Sequence, residues 1–217
     1  MSEPLGLFGG TFDPVHFGHL RLAEEAIVHL GLGGVRWMPA GQPPHRGVPQ
    51  VTAEQRLAMV RLATAGNERF AVDAGEVEAA APSYTVHTLE RLRAELGVTQ
   101  PLVLLVGADA FAGMASWHRW RDIFALAHVA ISHRPGFPVE ASSLPHELAT
   151  EFNDRRLSHA GDLKAMPGGG IVTFAMTQLA ISATQIRKLL SNELSARYLL
   201  PDSVLDYIRT HSLYRNP

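Results

Sequence analysis

The chain contains no cysteine, which excludes disulfide bonds and thiolate metal sites, so any bound metal must take oxygen or imidazole ligands. It also has little excess charge of either sign. The net charge of −2 creates no global field that would attract nucleic acid. Lysine is nearly absent, with only Lys164 and Lys188, and arginine supplies the other cations. Arginine suits bidentate contacts to phosphate, although a genome-wide codon bias also explains its excess.

Long hydrophobic runs are missing as well. Apolar stretches such as Leu102–Val106 are far too short to cross a bilayer, and no basic amino-terminal region precedes an apolar one. We therefore expect a cytoplasmic protein with no membrane partner and no nucleic-acid partner. A chain of 217 residues can bury one substantial core. We expect a single domain over residues 1–217, as a monomer or a homo-oligomer.

The most informative segment is Gly9–His19, which reads GGTFDPVHFGH between a short apolar run and a helical pattern. Strand, glycine turn and helix in that order present backbone N–H groups and a helix dipole to one point, as phosphate-binding loops do. His16 and His19, three residues apart, share a face directed at that point. The segment matches neither a Walker loop nor GxGxxG. It predicts a phosphate site, while two histidines beside Asp13 leave zinc binding or simple packing open.

A second segment, Ile181–Arg187, contains a strong helix-start signal. Ser182 and Gln185 form a capping-box pattern, and Ile181 with Ile186 has the spacing of a hydrophobic staple. Arg187 then lies near the positive end of the predicted helix, where a cation is unfavourable by a few tenths of a kcal/mol unless an anion binds there. A solvated arginine is the alternative interpretation.

Elsewhere strands alternate with helices, which predicts right-handed crossovers and an α/β fold with a doubly wound, mostly parallel sheet and helices on both faces. The predicted strands are Leu5–Phe8, Val35–Met38, Phe70–Val77, Leu102–Val106, Val129–Ser132 and Ile171–Ala175. The predicted helices are Leu20–Leu30, Thr52–Ala65, Ser83–Gly97, a helix from Ser182, and Asp202–Ile208. We expect 135–170 to be a peripheral insertion, with a helix and loops, and 182–217 to be a C-terminal helical part.

Two motifs in this order resemble one known family. His16-Phe17-Gly18-His19, with GTFDP before it, resembles the HxGH signature of nucleotidyltransferases. The longer string GGTFDPVHFGHL is similar to that of bacterial nicotinate-nucleotide adenylyltransferases, whose second signature, ISxTxxR, is present as Ile181–Arg187. The resemblance covers almost the whole chain and implies a Rossmann-like nucleotidyltransferase domain.

The resemblance also implies a reaction: adenylyl transfer from ATP to nicotinate mononucleotide, giving nicotinate adenine dinucleotide and pyrophosphate in NAD biosynthesis. The phosphate of the mononucleotide can attack the α-phosphorus in line, so no side chain need act as nucleophile. His16, His19 and Arg187 are then the catalytic residues around the phosphates, and Mg²⁺ bound with ATP bridges the leaving group. No separate protein metal site is expected.

Further site residues are implied by matching segments of the family. The residues expected to bind ATP are Gly9, Gly10, Thr11, Phe12, His16, His19, His45, Arg46, Gly107, Asp109, Arg134, Ser182, Thr184 and Arg187. Those expected to bind nicotinate mononucleotide are Ser83, Tyr84, Thr85 and Trp117.

Several of these residues have a structural alternative. Asp109 could cap the helix after it, the loop with His45 and Arg46 could be a surface turn, and Arg134 could form a rim salt bridge. Trp117 could pack in a core, although Trp120 suits that role better. Alternatives for the whole protein are a relative that uses phosphopantetheine or makes CDP-alcohols, a non-catalytic nucleotide sensor, and a zinc hydrolase.

Overall fold

The computed structural model describes residues 2–43, 47–79 and 81–215. The chain forms two compact units. The first unit comprises Met1–Gly9, Leu22–Arg36 and Tyr84–Thr177, and the second comprises Gly10–Arg21, Trp37–Ser83 and Gln178–Pro217. Within the described ranges, no helix combines the length and the apolar character needed to cross a membrane.

The elements alternate as the sequence predicts. The strands are β1 (Leu5–Gly10), β2 (Gly34–Pro39), β3 (Phe70–Val72), β4 (Leu102–Gly107), β5 (His128–His133) and β6 (Ile171–Ala175). The longer helices are α1 (Phe17–Leu30), α2 (Ala53–Thr64), α4 (Thr85–Leu96), α7 (His146–Arg155), α8 (Ala183–Ser191) and α9 (Asp202–Thr210). Short helices are α3 (Gly75–Glu78), α5 (Ala108–Ala112) and α6 (Asp122–Leu126), and 3₁₀ turns lie at Met114–Ser116, Ala141–Ser143 and Ala160–Lys164.

The strands form one sheet in the order β3-β2-β1-β4-β5-β6. The order reverses between β1 and β4, as in doubly wound nucleotide-binding folds. Strand pairs β1–β4, β4–β5 and β5–β6 are parallel, with Leu5 opposite Leu102 and Val129 opposite Ile171. Leu102–Val106 is buried along its whole length, as expected for a parallel strand covered on both faces. The predicted fold class is confirmed.

Local sequence signals explain two of the helix starts. At α2, the Thr52 side chain accepts a hydrogen bond from the Gln55 N–H, and the Gln55 side chain accepts one from the Thr52 N–H, so the predicted capping box is confirmed. At α8, the Ser182 hydroxyl accepts from the Gln185 N–H at 3.1 Å. The reciprocal bond is not made in the described chain. Ser182 is therefore a simple N-cap rather than half of a box.

The predicted strand Phe70–Val77 is wrong beyond Val72, where β3 ends and α3 follows. The Asp73 carboxylate accepts a hydrogen bond from the Gly75 N–H at 2.9 Å, which turns the chain out of the extended conformation. The helix expected within 135–170 is confirmed as α7. The short helix α6 was not predicted.

Loss of the α2 cap should lower stability without changing the fold. We expect Thr52→Ala to reduce the free energy of unfolding by about 1 kcal/mol, because one helix-start N–H loses its acceptor. Urea denaturation measures this difference. Thr99→Ala, at an exposed turn position, is the control and should change the free energy by less than about 0.5 kcal/mol. Equal effects of the two substitutions would contradict the assigned role of the cap.

Candidate active site

The two histidines of the first motif lie against each other at the start of α1. Their rings stack with centroids 3.7 Å apart and planes 24° apart, which confirms the predicted shared face. The His16 backbone N–H donates to Nδ1 of His19 at 3.2 Å. A neutral His19 therefore carries its proton on Nε2, where it can donate to an oxygen.

Small residues of the motif make room for these rings. A side chain at Gly18 would place its Cβ 3.0 Å from the His16 ring, and one at Gly10 would place it 2.9 Å from the Phe12 ring. Phe12 has a φ of 50°, an uncommon conformation for a residue with a side chain. Its buried ring meets the His19 ring edge to face at 5.1 Å. The loop thus places both imidazoles by packing as well as by hydrogen bonds.

His16 is neutral at neutral pH. Its side chain is 6% exposed, and burial lowers its pKa from 6.5 to about 4. Its Nδ1 is buried and has no hydrogen-bond partner among the described residues. An imidazole in this state contributes a hydrogen bond rather than a positive charge. Any positive charge near His16 must therefore come from other side chains.

Arg187 of the second motif supplies such a charge. Its Nη1 donates to the carbonyl oxygen of Asp13 at 2.7 Å, although the two residues are 174 positions apart. Nη2 lies 3.4 Å from Oγ1 of Thr184, and the side chain is 23% exposed. The solvated-arginine interpretation is therefore wrong. The contact joins the two motifs within the second unit.

Arg56 is a buried residue of this region that sequence reasoning missed. Its side chain is 1% exposed, and its guanidinium donates to the carbonyl oxygens of Thr11 at 2.8 Å and Gly41 at 2.9 Å. Burial lowers its pKa, an effect that the nearby Asp13 charge opposes. The available signal was its position four residues before Val60, on the buried face of α2.

Ser83, predicted to bind the mononucleotide, already organises the loop after β2. Its hydroxyl oxygen accepts from the backbone N–H groups of Gly41 at 2.9 Å and Gln42 at 3.2 Å. A Cβ at Gly41 would lie 2.1 Å from the Glu76 carbonyl oxygen, so only glycine fits this approach. His45 and Arg46 lie outside the described residues, so the structure does not test their predicted contacts to ATP.

In the first unit, Tyr84 is the N-cap residue of α4, and Thr85 is its first helical residue. The N–H groups of Thr85 and Val86 donate to no other described residue. Thr85 is half-buried, so its N–H can meet an anion at the helix start, whereas Val86 is fully buried. The Tyr84 ring lies 4.5 Å from that of His118.

Trp117 follows a 3₁₀ turn and is partly exposed, whereas Trp120 is 7% exposed. The core-packing alternative for Trp117 is therefore wrong, and the core role expected for Trp120 is confirmed. Because Trp117 is partly exposed, its ring remains a candidate for stacking.

Three predicted ATP contacts also belong to the first unit. Gly107 is the N-cap residue of α5, so the alternative that Asp109 caps this helix is wrong, and Asp109 lies exposed in the first turn. Arg134 is exposed directly after β5 and forms no ion pair with another described residue, which rules out the rim salt bridge there. The ligand contacts of these residues remain predictions.

The zinc interpretation lacks a third ligand in the part of the chain that the structure describes. No group of three or more His, Cys, Asp or Glu side chains is placed there to hold a metal ion. Nδ1 of His19 is also engaged by the His16 N–H.

The low pKa of His16 makes stability depend on pH. Because the unfolded chain binds a proton near pH 6.5 and the folded chain only near pH 4, this histidine destabilises the fold as pH falls between those values. We expect the wild type to lose about 2 kcal/mol more stability than His16→Gln between about pH 7 and about pH 5. Denaturant unfolding at both pH values measures this. His146→Gln, at an exposed position, should lose as much as the wild type; equal losses for both variants would refute the burial effect.

The comparisons with known proteins agree with one another. The cytidylyltransferase-like family model matches residues 7–189. A relative from Dechloromonas aromatica (strain RCB), named Probable nicotinate-nucleotide adenylyltransferase, is 85% identical over 216 residues and 100% of both chains. A relative of the same name from Pseudomonas aeruginosa (strain PAO1) is 48% identical, again over 100% of both chains.

Similar solved structures support the fold. A Plasmodium falciparum nicotinic acid mononucleotide adenylyltransferase complexed with NaAD has a TM-score of 0.71 at 16% identity, covering 98% of each chain. The same protein complexed with APC has a TM-score of 0.70. At this identity the likeness shows the fold alone. The family match and the full-length relatives go further: the chain belongs to the nicotinate-nucleotide adenylyltransferases of the cytidylyltransferase-like family.

Proposed function

We propose that this protein transfers the adenylyl group of ATP to nicotinate mononucleotide, forming nicotinate adenine dinucleotide and pyrophosphate in NAD biosynthesis. The observation that carries the proposal is the hydrogen bond from Arg187 to Asp13, which joins the second motif to the motif that contains both histidines. The names of the full-length relatives support the same reaction. We expect it to take place in the cytoplasm.

The chemistry requires positioning and charge stabilisation rather than a protein nucleophile. An oxygen of the mononucleotide phosphate attacks the α-phosphorus, a new P–O bond forms, and the bond to the β-phosphate oxygen breaks. Neutral His16 and the Nε2–H of His19 are proposed to donate hydrogen bonds to the phosphates, while Arg187 balances their charge. Ser182 and Thr184, at the start of α8, are proposed as further contacts to ATP.

Mg²⁺ is proposed to arrive with ATP. Such a hard cation prefers oxygen ligands, which the phosphate groups of the nucleotide would supply. When bound, the cation offsets the negative charge that builds on the leaving pyrophosphate.

The nicotinate end is proposed to bind at the start of α4. The N–H of the half-buried Thr85 is a donor without an acceptor among the described residues, which suits the carboxylate of nicotinate. Trp117 offers a partly exposed aromatic face for the pyridinium ring. Asp109 and Arg134 are proposed to contact ribose and phosphate.

His19 should act more in the transition state than in substrate binding. We expect His19→Ala to lower kcat by roughly 10²-fold, the scale of losing one preorganised donor, with a smaller change in the KM for ATP. Steady-state pyrophosphate release measures both constants. His146→Ala, at an exposed position on α7, is the control and should retain wild-type kinetics. A near-normal kcat for His19→Ala would remove the proposed role.

Selectivity for the acid over the amide tests the proposed substrate. Pyrophosphate release from ATP is measured with nicotinate mononucleotide, nicotinamide mononucleotide and phosphopantetheine as acceptors. The proposed site offers only hydrogen-bond donors. A bound amide must therefore turn its NH₂ group away from the site or leave one of these donors unpaired, so kcat/KM should favour the acid by roughly 10- to 200-fold. Turnover with phosphopantetheine alone would overturn the proposed function. Equal kcat/KM for the two pyridine nucleotides would overturn the selectivity only.

Thr85→Pro tests the proposed donor directly. Tyr84 has φ −98° and ψ 125°, a conformation that a following proline accepts, and proline is tolerated at the first helical position. The substitution removes one N–H and should reduce kcat/KM mainly for the acid. Trp117→Ala, by contrast, should weaken both mononucleotides. A Thr85→Pro variant with unchanged selectivity would place the carboxylate elsewhere.

A further inference from the structure

A buried hydrogen bond connects Asp13, in the loop that precedes α1, to a residue beyond α9. The Tyr214 hydroxyl donates to Oδ1 of Asp13 at 2.7 Å, across 201 positions of the sequence. The two residues are only 7% and 6% exposed. We infer that Tyr214 is a positioning residue for ATP: its hydroxyl holds the Asp13 carboxylate so that Arg187 remains available to the phosphates. The inference rests on the proposed function in taking Arg187 as a phosphate-binding group.

The Asp13 carboxylate is held from two sides. Oδ1 accepts from Tyr214, and Oδ2 accepts from the backbone N–H of Gln50 at 3.0 Å. Because the donors approach different oxygens, they fix the rotation of the carboxylate as well as its position. Burial, then the hydrogen bond to Asp13, raise the pKa of Tyr214, so its hydroxyl keeps its proton and remains a donor.

This arrangement keeps the ion pair between Asp13 and Arg187 loose. Nη1 of Arg187 lies 4.0 Å from Oδ2 of Asp13 and donates instead to the Asp13 carbonyl oxygen at 2.7 Å. Nε of Arg187 is buried and has no partner among the described residues. The guanidinium therefore retains donor capacity that a tight bidentate pair with the carboxylate would consume.

Removal of the tyrosine hydroxyl would change this balance. Oδ1 of Asp13 would become a buried acceptor without a donor, which is costly. The described cations that interact with this carboxylate are Arg187 and Arg56. Arg56 already donates to backbone carbonyl oxygens, so the freed carboxylate would turn toward Arg187 and compete with the β- and γ-phosphates of ATP.

The test compares ligands with and without those phosphates. Titration calorimetry measures the affinity of Tyr214→Phe for a non-hydrolysable ATP analogue and for AMP. We expect the analogue to bind about tenfold more weakly than to the wild type, with AMP binding unchanged. The control is Tyr198→Phe, because Tyr198 is 79% exposed, and it should bind both ligands as the wild type does.

A second comparison asks whether the effect passes through Arg187. In an Arg187→Lys background, Tyr214→Phe should weaken analogue binding by less than about twofold, since coupled residues are not additive. Gln50→Pro, which removes the donor to the other carboxylate oxygen from an exposed loop position, should reproduce the selective loss if Tyr214→Phe fails to fold.

Equal losses of AMP and analogue affinity would overturn the inference in favour of a purely structural role, as would wild-type affinity or full additivity with Arg187→Lys. These measurements need no acceptor nucleotide. A wild-type protein that binds the analogue but releases no pyrophosphate with nicotinate mononucleotide would refute the proposed function and leave this test intact.

Discussion

The buried carboxylate of Asp13 requires hydrogen-bond donors, and the second unit supplies them from segments that are far apart in the sequence. Tyr214 and Gln50 satisfy the side chain, while Arg187 takes the backbone carbonyl of the same residue. A buried carboxylate without such partners would cost several kcal/mol. Since His16 follows three residues later, the contacts that satisfy Asp13 also restrict where the imidazoles can lie. Stability and the geometry of the phosphate site thus depend on the same atoms.

Features fixed by neighbouring residues could be predicted from the sequence. The cap at Thr52 depends on a residue three positions away, and the N-cap at Ser182 likewise, so both are found where the pattern places them. The strand predicted over Phe70–Val77 failed for a similarly local reason. Its apolar residues favour an extended chain, but the Asp73 side chain competes for the Gly75 N–H and starts a turn.

The residues of the candidate site also differ in whether a local sequence pattern indicates them. His16, His19 and Arg187 could be identified because they belong to motifs whose spacing is visible in the sequence, and the structure joins the two motifs as expected. The burial of Arg56 depends on carbonyl oxygens from two loops, and only the tertiary fold brings these to one guanidinium. No local sequence pattern indicates the role of Tyr214, because its hydrogen-bond partner Asp13 lies 201 positions earlier.

That separation has a consequence for the order of assembly during synthesis. The segment from Gly10 to Arg21 is synthesised long before Arg187 and Tyr214, so during that interval it lacks two of the partners that satisfy Asp13. Closing such long-range contacts also carries a large loop entropy, which delays them relative to local helices. The nascent chain can form much of its secondary structure early. The contacts that hold Asp13 beside the histidines can form only after Arg187 and Tyr214 have been synthesised.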